Sequence, residues 1–567
     1  MKLFTLSFII SLSLFSSNTK GQIFTKKNYD QNFFKWPVGA QIAIVANFGE
    51  LRPNHYHMGL DCRTDKKENM PIYAAADGYI AKVKIEPYGF GRCIYINHAN
   101  GLTSVYAHLN AFEPSLERYI TNEQYKLESW KVFLEIPKGM FKVKQGDFIA
   151  ASGNTGGSQG PHLHFEIRDT KSDKCLNQLM FGLPIPDNVA PEIIRLAVYD
   201  RMKSTFDQSP KFYPIKKVNG QYTVVGGKII AASYKVSFAL SMQDKTNGSS
   251  NAIGVYAAAV LDDDNLVTKF EIDSISYAET RYMNAHIDHK MKINGGPYVQ
   301  HLSPLPGYED FIYTTDQKNG VVLLNDSNIH KIKIIVADAN GNRSNLVFDL
   351  IAPTSIAARP TIDAVQKFVP NFINVFETSK VKFYLPENAL YDTVNFTFKE
   401  MPSADGKSIY QLHTAAVPVQ CMYPISIREN FAVEDTGKIV MYRFFGSKKD
   451  FAKAKYNKGW YTASFREFGN FMLMVDRTAP NIVPIGFRDG MNAANLTRIM
   501  FNIKDNTEDI VNFTALLDGK WLRFSNDKGV NFIYKFDEHC PPGEHELKIS
   551  ATDQVGNTSE KIFTFTR

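Results

Sequence analysis

Hydrophobic and polar residues alternate in short runs along most of this chain, and turn residues separate the runs. The segments PIYAAADGYIAKVKIE and GRCIYINHANGLTSVYAHL show the pattern, with Asp-Gly and Asn-Gly at the breaks. Alternation with a period of two is typical of half-buried strands, and these dipeptides favour hairpin turns. One stretch differs, because Glu113 to Trp130 has a helical pattern with a polar surface, and Pro114 lies at its start. We therefore predict antiparallel β structure with one helical insertion.

An internal repeat in the C-terminal half predicts related β modules. The segment HKIKIIVADANGNRSNLVFDL aligns with HELKISATDQVGNTSEKIFTF, so that Asp338 matches Asp553. Upstream, FALSMQDKT aligns with FNIKDNT, and each unit opens with Ala-Pro. Each copy has the pattern strand, turn, strand. We therefore predict two related β-sandwich modules of the immunoglobulin-like type, the first enlarged by insertions.

The chain has 567 residues, which is too long for a single hydrophobic core. The changes of pattern and the Ala-Pro openings predict five segments. They are a signal peptide at 1–21, a compact β domain with the helical insertion at 22–189, a β-sandwich module with insertions at 190–352, a β-rich module at 353–478 and a β-sandwich module at 479–567.

The N-terminus predicts export. Lys2 is followed by an apolar run from Leu3 to Phe15 and then by small and polar residues, which is typical of a secretory signal peptide cleaved near Gly21. The apolar run is too short for a membrane-spanning helix, and no later run of about 18 apolar residues appears. No cysteine directly follows the run, so a lipoprotein anchor is not expected. We predict a protein of the periplasm or cell envelope, or an extracellular one, without a membrane span.

The net charge bears on the class of partner that the chain could bind, and the cysteine content bears on disulfide bonding. The net charge of +6 is small for this length, so it does not indicate nucleic-acid binding, although it permits contact with an anionic polymer such as a cell wall. The five cysteines are odd in number and widely spaced, and no CxxC occurs. We expect buried thiols with at most one or two bridges rather than a disulfide framework.

Two histidines separated by a single residue in GNTGGSQGPHLHFEIRD indicate a candidate metal-binding or catalytic site. Side chains alternate faces along a strand, so His162, His164 and Glu166 share one face. The apolar residues between them face a core. Imidazole is the commonest metal ligand in proteins, and zinc sites need three or four donors. Glu166 either orients a ligand or forms a surface ion pair.

Further donors are present in LRPNHYHMGLDCRT. His57 and Asp61 are four residues apart, so in an extended segment they lie on one face. With His164 they supply two imidazoles and one carboxylate, and three protein ligands with an open position are typical of catalytic zinc. His162, and His108 in VYAHL, are left as acid or base.

Other interpretations of these histidines are possible. His55 could replace His57 as a ligand, although the spacing to Asp61 favours His57. A cupin also carries two histidines one residue apart after glycine, but it needs a glutamate four or five residues beyond the second, where this chain has Arg168 and Asp169. A purely structural role for all the histidines is the remaining alternative.

Four short motifs carry a family resemblance. HMGLD, YAHL, GNTGG and GPHLHFEIR resemble, in order, the landmarks of the lysostaphin-like (LytM-type) zinc metallopeptidases. The resemblance covers roughly residues 40 to 170. The longer form NFGELRPNHYHMGLD is similar to secreted members from Bacteroidetes-type bacteria. The resemblance implies the β-sheet fold called the duplicated hybrid motif and peptidoglycan endopeptidase activity.

The resemblance also implies roles for individual residues. His57, Asp61 and His164 match the zinc ligands, and His108 and His162 match the two catalytic histidines that do not bind the metal. The expected function is a secreted zinc metalloendopeptidase that cuts peptide cross-links of peptidoglycan, with zinc as cofactor. The alternative is a non-catalytic envelope scaffold or regulator on the same fold, or an adhesin whose C-terminal modules bind envelope proteins.

Three other segments are candidates for function. The insertion after YAHL is predicted to form a wall of the substrate groove or a lid over it. LDDDN, at Leu261 to Asn265, is predicted to be a solvated turn rather than a calcium site, because the spacing of an EF-hand loop is absent. AHIDH, at Ala285 to His289, is predicted to be a polar surface segment.

Overall fold

The computed structural model describes residues 23–25, 27–309, 311–355, 363–403, 406–508 and 510–567. The predicted signal peptide at 1–21 lies outside these residues. The described chain is mainly β, with a small helical insertion in its N-terminal part, so the predicted fold class is confirmed. A search of the described helices finds none with the length and apolar character needed to span a membrane.

The N-terminal region packs two antiparallel sheets against each other and adds a separate two-stranded hairpin, β2–β3. Its elements are β1 (Ile44–Ala46), β2 (Leu51–Arg52), β3 (His55–Tyr56), β4 (Leu60–Arg63), β5 (Pro71–Tyr73), β6 (Gly78–Ile85), β7 (Arg92–His98), β8 (Leu102–Ala107), β9 (Leu109–Phe112), α1 (Pro114–Lys126), β10 (Val132–Glu135), β11 (Lys142–Val143), β12 (Phe148–Ser152), β13 (His162–Asp169) and β14 (Cys175–Leu176). The large sheet has the order β1-β4-β13-β8-β7-β6-β10, and the smaller one β5-β12-β9. Apolar side chains from both sheets, such as Phe165 and Ile149, share one core. The polar face of β13 is left for the site.

The second region is a β-sandwich with additional strands. Its elements are β15 (Glu192–Asp200), β16 (Lys211–Tyr213), β17 (Ile215–Val218), β18 (Gln221–Ile230), β19 (Lys235–Gln243), β20 (Ala257–Asp262), β21 (Asn265–Glu271), β22 (Ser274–Ile275), α2 (Met283–His286), α3 (His289–Ile293), β23 (Gln300–His301), β24 (Tyr313–Thr315), β25 (Val322–Leu323), β26 (Ile329–Ala337) and β27 (Arg343–Ile351). One sheet has the order β16-β15-β19-β23, and the other β17-β18-β27-β26-β20-β21-β24.

The third region places two five-stranded sheets around a core rich in phenylalanine. Its strands are β28 (Gln366–Phe368), β29 (Asn374–Glu377), β30 (Val381–Leu385), β31 (Val394–Phe396), β32 (Phe398–Pro402), β33 (Ser408–Leu412), β34 (Pro418–Arg428), β35 (Ile439–Phe445), β36 (Lys448–Lys453), β37 (Lys455–Asn457), β38 (Trp460–Glu467) and β39 (Gly469–Val475). The two sheets have the orders β29-β30-β34-β38-β37 and β32-β33-β39-β35-β36.

The fourth region repeats the topology of the second. Its strands are β40 (Asn481–Pro484), β41 (Met491–Asn492), β42 (Arg498–Lys504), β43 (Ile510–Leu517), β44 (Lys520–Trp521), β45 (Asn531–Lys535), β46 (Glu544–Asp553) and β47 (Thr558–Thr566). The pairs β40–β42, β43–β46 and β46–β47 correspond to β15–β19, β20–β26 and β26–β27, all antiparallel. In the second region β18 runs parallel to β27, and in the fourth region β41 runs parallel to β47 in the same way. The two regions thus share strand order as well as sequence.

The N-terminal and second regions are packed directly against each other. Strand β14 pairs with β22, so the large sheet continues from one region into the other. Phe48, Tyr56 and Met58 are nearly inaccessible to solvent and pack in the hydrophobic core of the second region. The amide of Tyr56 also donates to the hydroxyl of Thr280 at 2.9 Å. Removal of the second region would therefore expose apolar side chains of the first.

Helix α1 contacts the fourth region. Glu113 caps the helix by accepting from two amides of the first turn, and Pro114 occupies the first helical position, where no amide hydrogen is needed. Near the other end, the ring of Tyr125 stacks on His539 with centroids 3.7 Å apart. Arg523 donates to the amide oxygen of Gln124 at 3.0 Å. The insertion is thus a docking site for the C-terminal module.

Candidate metal centre and active site

The register of three neighbouring strands brings the predicted site residues together. Strand β13 lies between β4 and β8. His164 is directly opposite Asp61 on one side, and His162 is opposite Arg63. His57 enters from the turn that follows the hairpin β2–β3. Side chains that are distant in sequence therefore converge because antiparallel pairing fixes which residues face one another.

Three donor atoms form a compact triangle. The Nε2 atom of His57 is 2.9 Å from Oδ1 of Asp61, Nδ1 of His164 is 3.0 Å from the same oxygen, and the two nitrogens are 3.0 Å apart. All three side chains are buried. Ligands of one tetrahedral zinc ion lie about 3.3 Å from one another, since zinc to nitrogen or oxygen distances are about 2.0–2.1 Å. The triangle is slightly tighter than that.

The hydrogen bonds behind this triangle favour a metal. His57 donates from Nδ1 to the carbonyl oxygen of Asn47 at 2.8 Å, and His164 donates from Nε2 to Glu166 at 3.0 Å. In the neutral imidazoles the other nitrogens therefore carry lone pairs, and both point at the carboxylate of Asp61. Three electron-pair donors that face one another need a cation between them. The donor set thus fits a zinc ion with one open position.

Without a metal, a proton on His164 would balance part of the negative charge of the site. Burial lowers the pKa of His164, but its hydrogen bonds with Asp61 and Glu166 outweigh burial and raise the pKa to about 9. The pKa of Asp61 is held well below its usual value, because burial is outweighed by the neighbouring histidines His57, His162 and His164. Metal binding therefore has to displace a proton from this site.

His162 and His108 lie beside the triangle and not within it. His162 donates from Nδ1 to the carbonyl oxygen of Gly160 at 2.8 Å, and its Nε2 is 3.5 Å from Oδ1 of Asp61. His108 donates from Nδ1 to the carbonyl oxygen of Thr155 at 2.7 Å. The ring centroids of the two histidines are 4.9 Å apart. Both residues thus direct their Nδ1 atoms to backbone carbonyl oxygens, and Nε2 of His162 lies next to the carboxylate of Asp61.

His108 has an unusual backbone and an unusual pKa. Its φ of 61° lies in the left-handed region, which residues other than glycine rarely adopt, at the point where the chain leaves β8 for the other sheet. Burial, with the nearby His164 and His162, lowers its pKa to about 3. His108 is therefore neutral at physiological pH, and the surrounding structure holds its backbone in a conformation that non-glycine residues rarely adopt.

A second layer of contacts orients His164. Glu166 is completely buried and is not in a surface ion pair, so the orienting role is the one that the geometry supports. Arg168 donates from Nε to Glu166 at 2.6 Å, and Tyr277 of the second region donates its hydroxyl to Glu166 at 2.6 Å. Burial opposes ionisation of Glu166, but these contacts hold its pKa well below its usual value. No sequence signal near Tyr277 predicted this contact.

The site opens into a cavity of about 930 Å³. Its walls come from the hairpin β2–β3, the loop around Phe90, the loop 157–161 and Tyr277 of the second region. Within the described residues, helix α1 contributes no side chain to this lining. The prediction that the insertion forms a wall of the substrate groove, or a lid over it, is therefore wrong for this cavity, because the helix packs on the fourth region instead.

The triangle of donors includes neither His55 nor any residue of the segments AHIDH and LDDDN. His55 is exposed and makes its hydrogen bond to the carbonyl oxygen of Pro53. All five cysteines are free, which is within the expected limit of at most one or two bridges, and Cys62 faces the core on the side of β4 away from the site. His286 of AHIDH is fully buried and bonds to Tyr313 and Gln300, so that segment is not a surface element. Asp262 of LDDDN pairs with His330 at 2.8 Å.

Comparison with known families gives two matches. Residues 55–125 and 136–176 match the model of peptidase family M23, with a break that falls at the end of helix α1 and the residues after it. Residues 365–476 match the model of the Zu5-like domain, within the third region.

Several curated relatives match the N-terminal region. An uncharacterized metalloprotease of Haemophilus influenzae is 29% identical over 27% of this chain and 28% of its own length. The DD-carboxypeptidase/endopeptidase Mpg of Neisseria meningitidis is 31% identical over 23% of this chain and 24% of its own. The peptidoglycan DD-endopeptidase ShyA of Vibrio cholerae is 28% identical over 28% and 34%. The chain thus spans about a quarter to a third of these relatives. Together with the family match, they show that the N-terminal region of this chain is a domain of peptidase family M23.

Proposed function

We propose that this protein is an exported zinc metalloendopeptidase that hydrolyses peptide cross-links of peptidoglycan. The observation that carries the proposal is the convergence of His57, Asp61 and His164 on one point of an open cavity, with His108 and His162 beside them. Relatives named as peptidoglycan endopeptidases support the substrate class. A purely scaffolding protein would not need to keep this donor set.

The geometry supports a division of roles among the residues. His57, Asp61 and His164 would hold the metal. A zinc ion bound there would polarise the scissile carbonyl and lower the pKa of a bound water to about 7. Glu166 keeps the proton of His164 on Nε2, so that Nδ1 faces the metal position. The buried contacts behind Glu166 prevent the imidazole from turning.

The two remaining histidines would move protons. We assign the proton of the attacking water to Nε2 of His162, which is an acceptor because Nδ1 carries the hydrogen. His162 would then return this proton to the leaving amine nitrogen. His108 is neutral in the free site and carries its hydrogen on Nδ1, so it would donate from Nε2 to the oxygen of the attacked carbonyl only after taking a proton from solvent as negative charge develops on that oxygen.

The first experiment measures zinc and hydrolysis separately. His164→Ala should lose the metal, whereas His162→Ala should keep about one zinc per chain and lose hydrolysis by roughly 10²-fold or more. His55→Ala is the matched control, because it removes an imidazole from the same cavity without removing a donor of the triangle. Full zinc content in His164→Ala would contradict the ligand assignment. Identification of the products of purified peptidoglycan by mass spectrometry tests the substrate.

A further inference from the structure

Three aspartates meet at one end of the second region, outside the peptidase site. Carboxylate oxygens of Asp187, Asp244 and Asp338 lie within 4.8 Å of one another. Asp187 lies in the segment that precedes β15, Asp244 directly follows β19, and Asp338 directly follows β26. The cluster therefore joins the segment that leads into the module to two strand ends of the sandwich.

The fourth region carries the same cluster at equivalent positions. Carboxylate oxygens of Asp476, Asp505 and Asp553 also lie within 4.8 Å of one another. Asp187 and Asp476 each stand three residues before the Ala-Pro that opens the module. The equivalent pairs from the two modules are Asp187 with Asp476, Asp244 with Asp505 and Asp338 with Asp553. The two modules have thus kept all three carboxylates while most of the surrounding sequence differs.

Several of these oxygens are buried without any partner. Asp244 is only 3% exposed, and its Oδ1 atom has no hydrogen-bond donor. Asp476 is 1% exposed, and its Oδ2 atom likewise has none, nor does the buried Oδ1 atom of Asp505. Buried polar atoms are nearly always paired, because an unpaired one costs its full desolvation energy. Unpaired oxygens at equivalent aspartates of two modules indicate a position suited to a cation.

No side-chain cation of the described residues neutralises either cluster. None of the six carboxylates forms a salt bridge with a described lysine, arginine or histidine. The amine of Lys438 is near the second cluster, but it donates to Val555 and Asn557. Burial, with Asp338 and Asp187 nearby, raises the pKa of Asp244 to about 8. Burial, and to a smaller extent the neighbouring carboxylates, therefore oppose ionisation of Asp244.

An asparagine at equivalent positions of the two modules holds one aspartate of each cluster. Asn342 donates its side chain to Asp338 at 2.6 Å, and Asn557 donates its side chain to Asp553 at 2.7 Å. Asn557 also reaches the backbone carbonyl of Asp476 at 3.1 Å. Backbone and side-chain donors of these turns reach both oxygens of Asp338 and both oxygens of Asp553, so these two carboxylates are held in place. Each site is thus organised before any ligand binds.

We propose that each of these two modules binds one Ca²⁺ ion between its three aspartates. The donors are all oxygens, with no histidine or cysteine, which favours a hard divalent cation over zinc. Ca²⁺ accepts irregular oxygen coordination, whereas Mg²⁺ demands a near-ideal octahedron. The bound ion links the residue before the module to two strand ends, so it fixes the angle at which the module leaves the preceding one.

A third acidic group in the second region provides a matched control. Asp262 and Asp263 lie close to His330, but Asp262 already forms an ion pair with this histidine at 2.8 Å and lies at a hairpin turn. Its charge is therefore compensated within the protein. Asp262→Asn removes one carboxyl group, as Asp244→Asn does, and should leave calcium binding unchanged.

The test is equilibrium dialysis of the full chain against Ca²⁺ after treatment with EGTA. Wild type should bind about two Ca²⁺ per chain with dissociation constants of about 10⁻⁴–10⁻³ M, as in extracellular modules. Asp244→Asn should bind one ion, Asp244→Asn/Asp505→Asn none, and Asp262→Asn two. No binding by folded wild type at about 5 mM Ca²⁺ would overturn the proposal, as would equal losses in Asp244→Asn and Asp262→Asn.

Thermal unfolding separates a cation site from a purely structural cluster. In EGTA, Asp244→Asn should unfold at a temperature equal to or above that of wild type, because it removes repulsion among buried carboxylates. Added Ca²⁺ should raise the unfolding temperature of wild type and raise it less in the variant. A variant that is destabilised in EGTA, with a wild type indifferent to Ca²⁺, would contradict the proposal. Asp187→Asn, at a less buried carboxylate, repeats the test if Asp244→Asn does not fold.

Discussion

Tyr277→Phe is the sharpest test of how the second module takes part in the peptidase site. The substitution removes a single hydroxyl, which donates to Glu166 at 2.6 Å, and leaves the ring in the cavity wall. Glu166 is fully buried and holds His164 through a 3.0 Å hydrogen bond. A change at residue 277 therefore reaches a metal ligand through one intermediate side chain.

The expected magnitude follows from the contacts of Glu166. A hydrogen bond to a charged group contributes about 1.5–3 kcal/mol, and Glu166 keeps its bonds to Arg168 and His164 in the variant. Loss of a partner behind a metal ligand weakens metal binding about 10- to 100-fold. We expect the lower end, so the dissociation constant for zinc should rise about tenfold, or about 1.4 kcal/mol.

The assay is a competition titration of zinc against a chelator of known affinity, with unfolding monitored in parallel. Tyr256→Phe is the control, because Tyr256 lies in the same region and donates to Asp273 at the same distance of 2.6 Å, but it does not contact Glu166. Both variants should lose some stability, and only Tyr277→Phe should lose zinc affinity. Equal zinc affinity in wild type and Tyr277→Phe would refute this reasoning.

Three further predictions concern pH, docking and the domain boundary. In metal-free protein the pKa of His164 is raised to about 9 from 6.5, so its stabilising contribution is complete below pH 6.5 and is lost as pH rises through about 9; the unfolding temperature of chelated wild type should fall over this range more than that of His164→Ala. Tyr125→Ala removes the stack on His539, so limited proteolysis should release the fourth region faster than in wild type, with zinc content unchanged. A fragment of residues 22–352 should be soluble, whereas residues 22–189 should aggregate, because Tyr56 would lose its cover, and a soluble, zinc-binding 22–189 would contradict this.

The mainly β fold was predictable because the signals are local. Alternation and hairpin dipeptides depend on neighbouring residues, and the helix α1 has its cap and proline at its start. The bounds were less certain, since the predicted stretch Glu113 to Trp130 shortens to Pro114–Lys126. The repeat also predicted the shared topology of the second and fourth regions.

The convergence of the site residues was predictable from the alternation of side chains along a strand and from the family resemblance. His162, His164 and Glu166 do lie on one face of β13, and His57 and Asp61 meet His164. Tyr277 was not predictable, because it is more than a hundred residues from Glu166, and only the pairing of β14 with β22 brings it there. The destination of helix α1 likewise depends on the packing of a distant module.

The acidic clusters could be found in the sequence only by aligning the two repeats, and not from the local pattern of either copy. Each pair of equivalent aspartates is visible only when the two repeats are aligned, and a single copy looks like ordinary polar turns. Their meaning depended on burial, since an exposed carboxylate needs no partner. Asp244 and Asp476 are buried, and this was not deducible from composition.

The most direct test of the central claim is digestion of purified peptidoglycan by wild type and by His162→Ala, each loaded with zinc. The account predicts that both proteins contain about one zinc per chain, and that only wild type releases peptides cut at the cross-links, with the variant slower by roughly 10²-fold or more. Cleavage by His162→Ala at the wild-type rate, or zinc-loaded wild type that leaves the cross-links intact, would contradict the account.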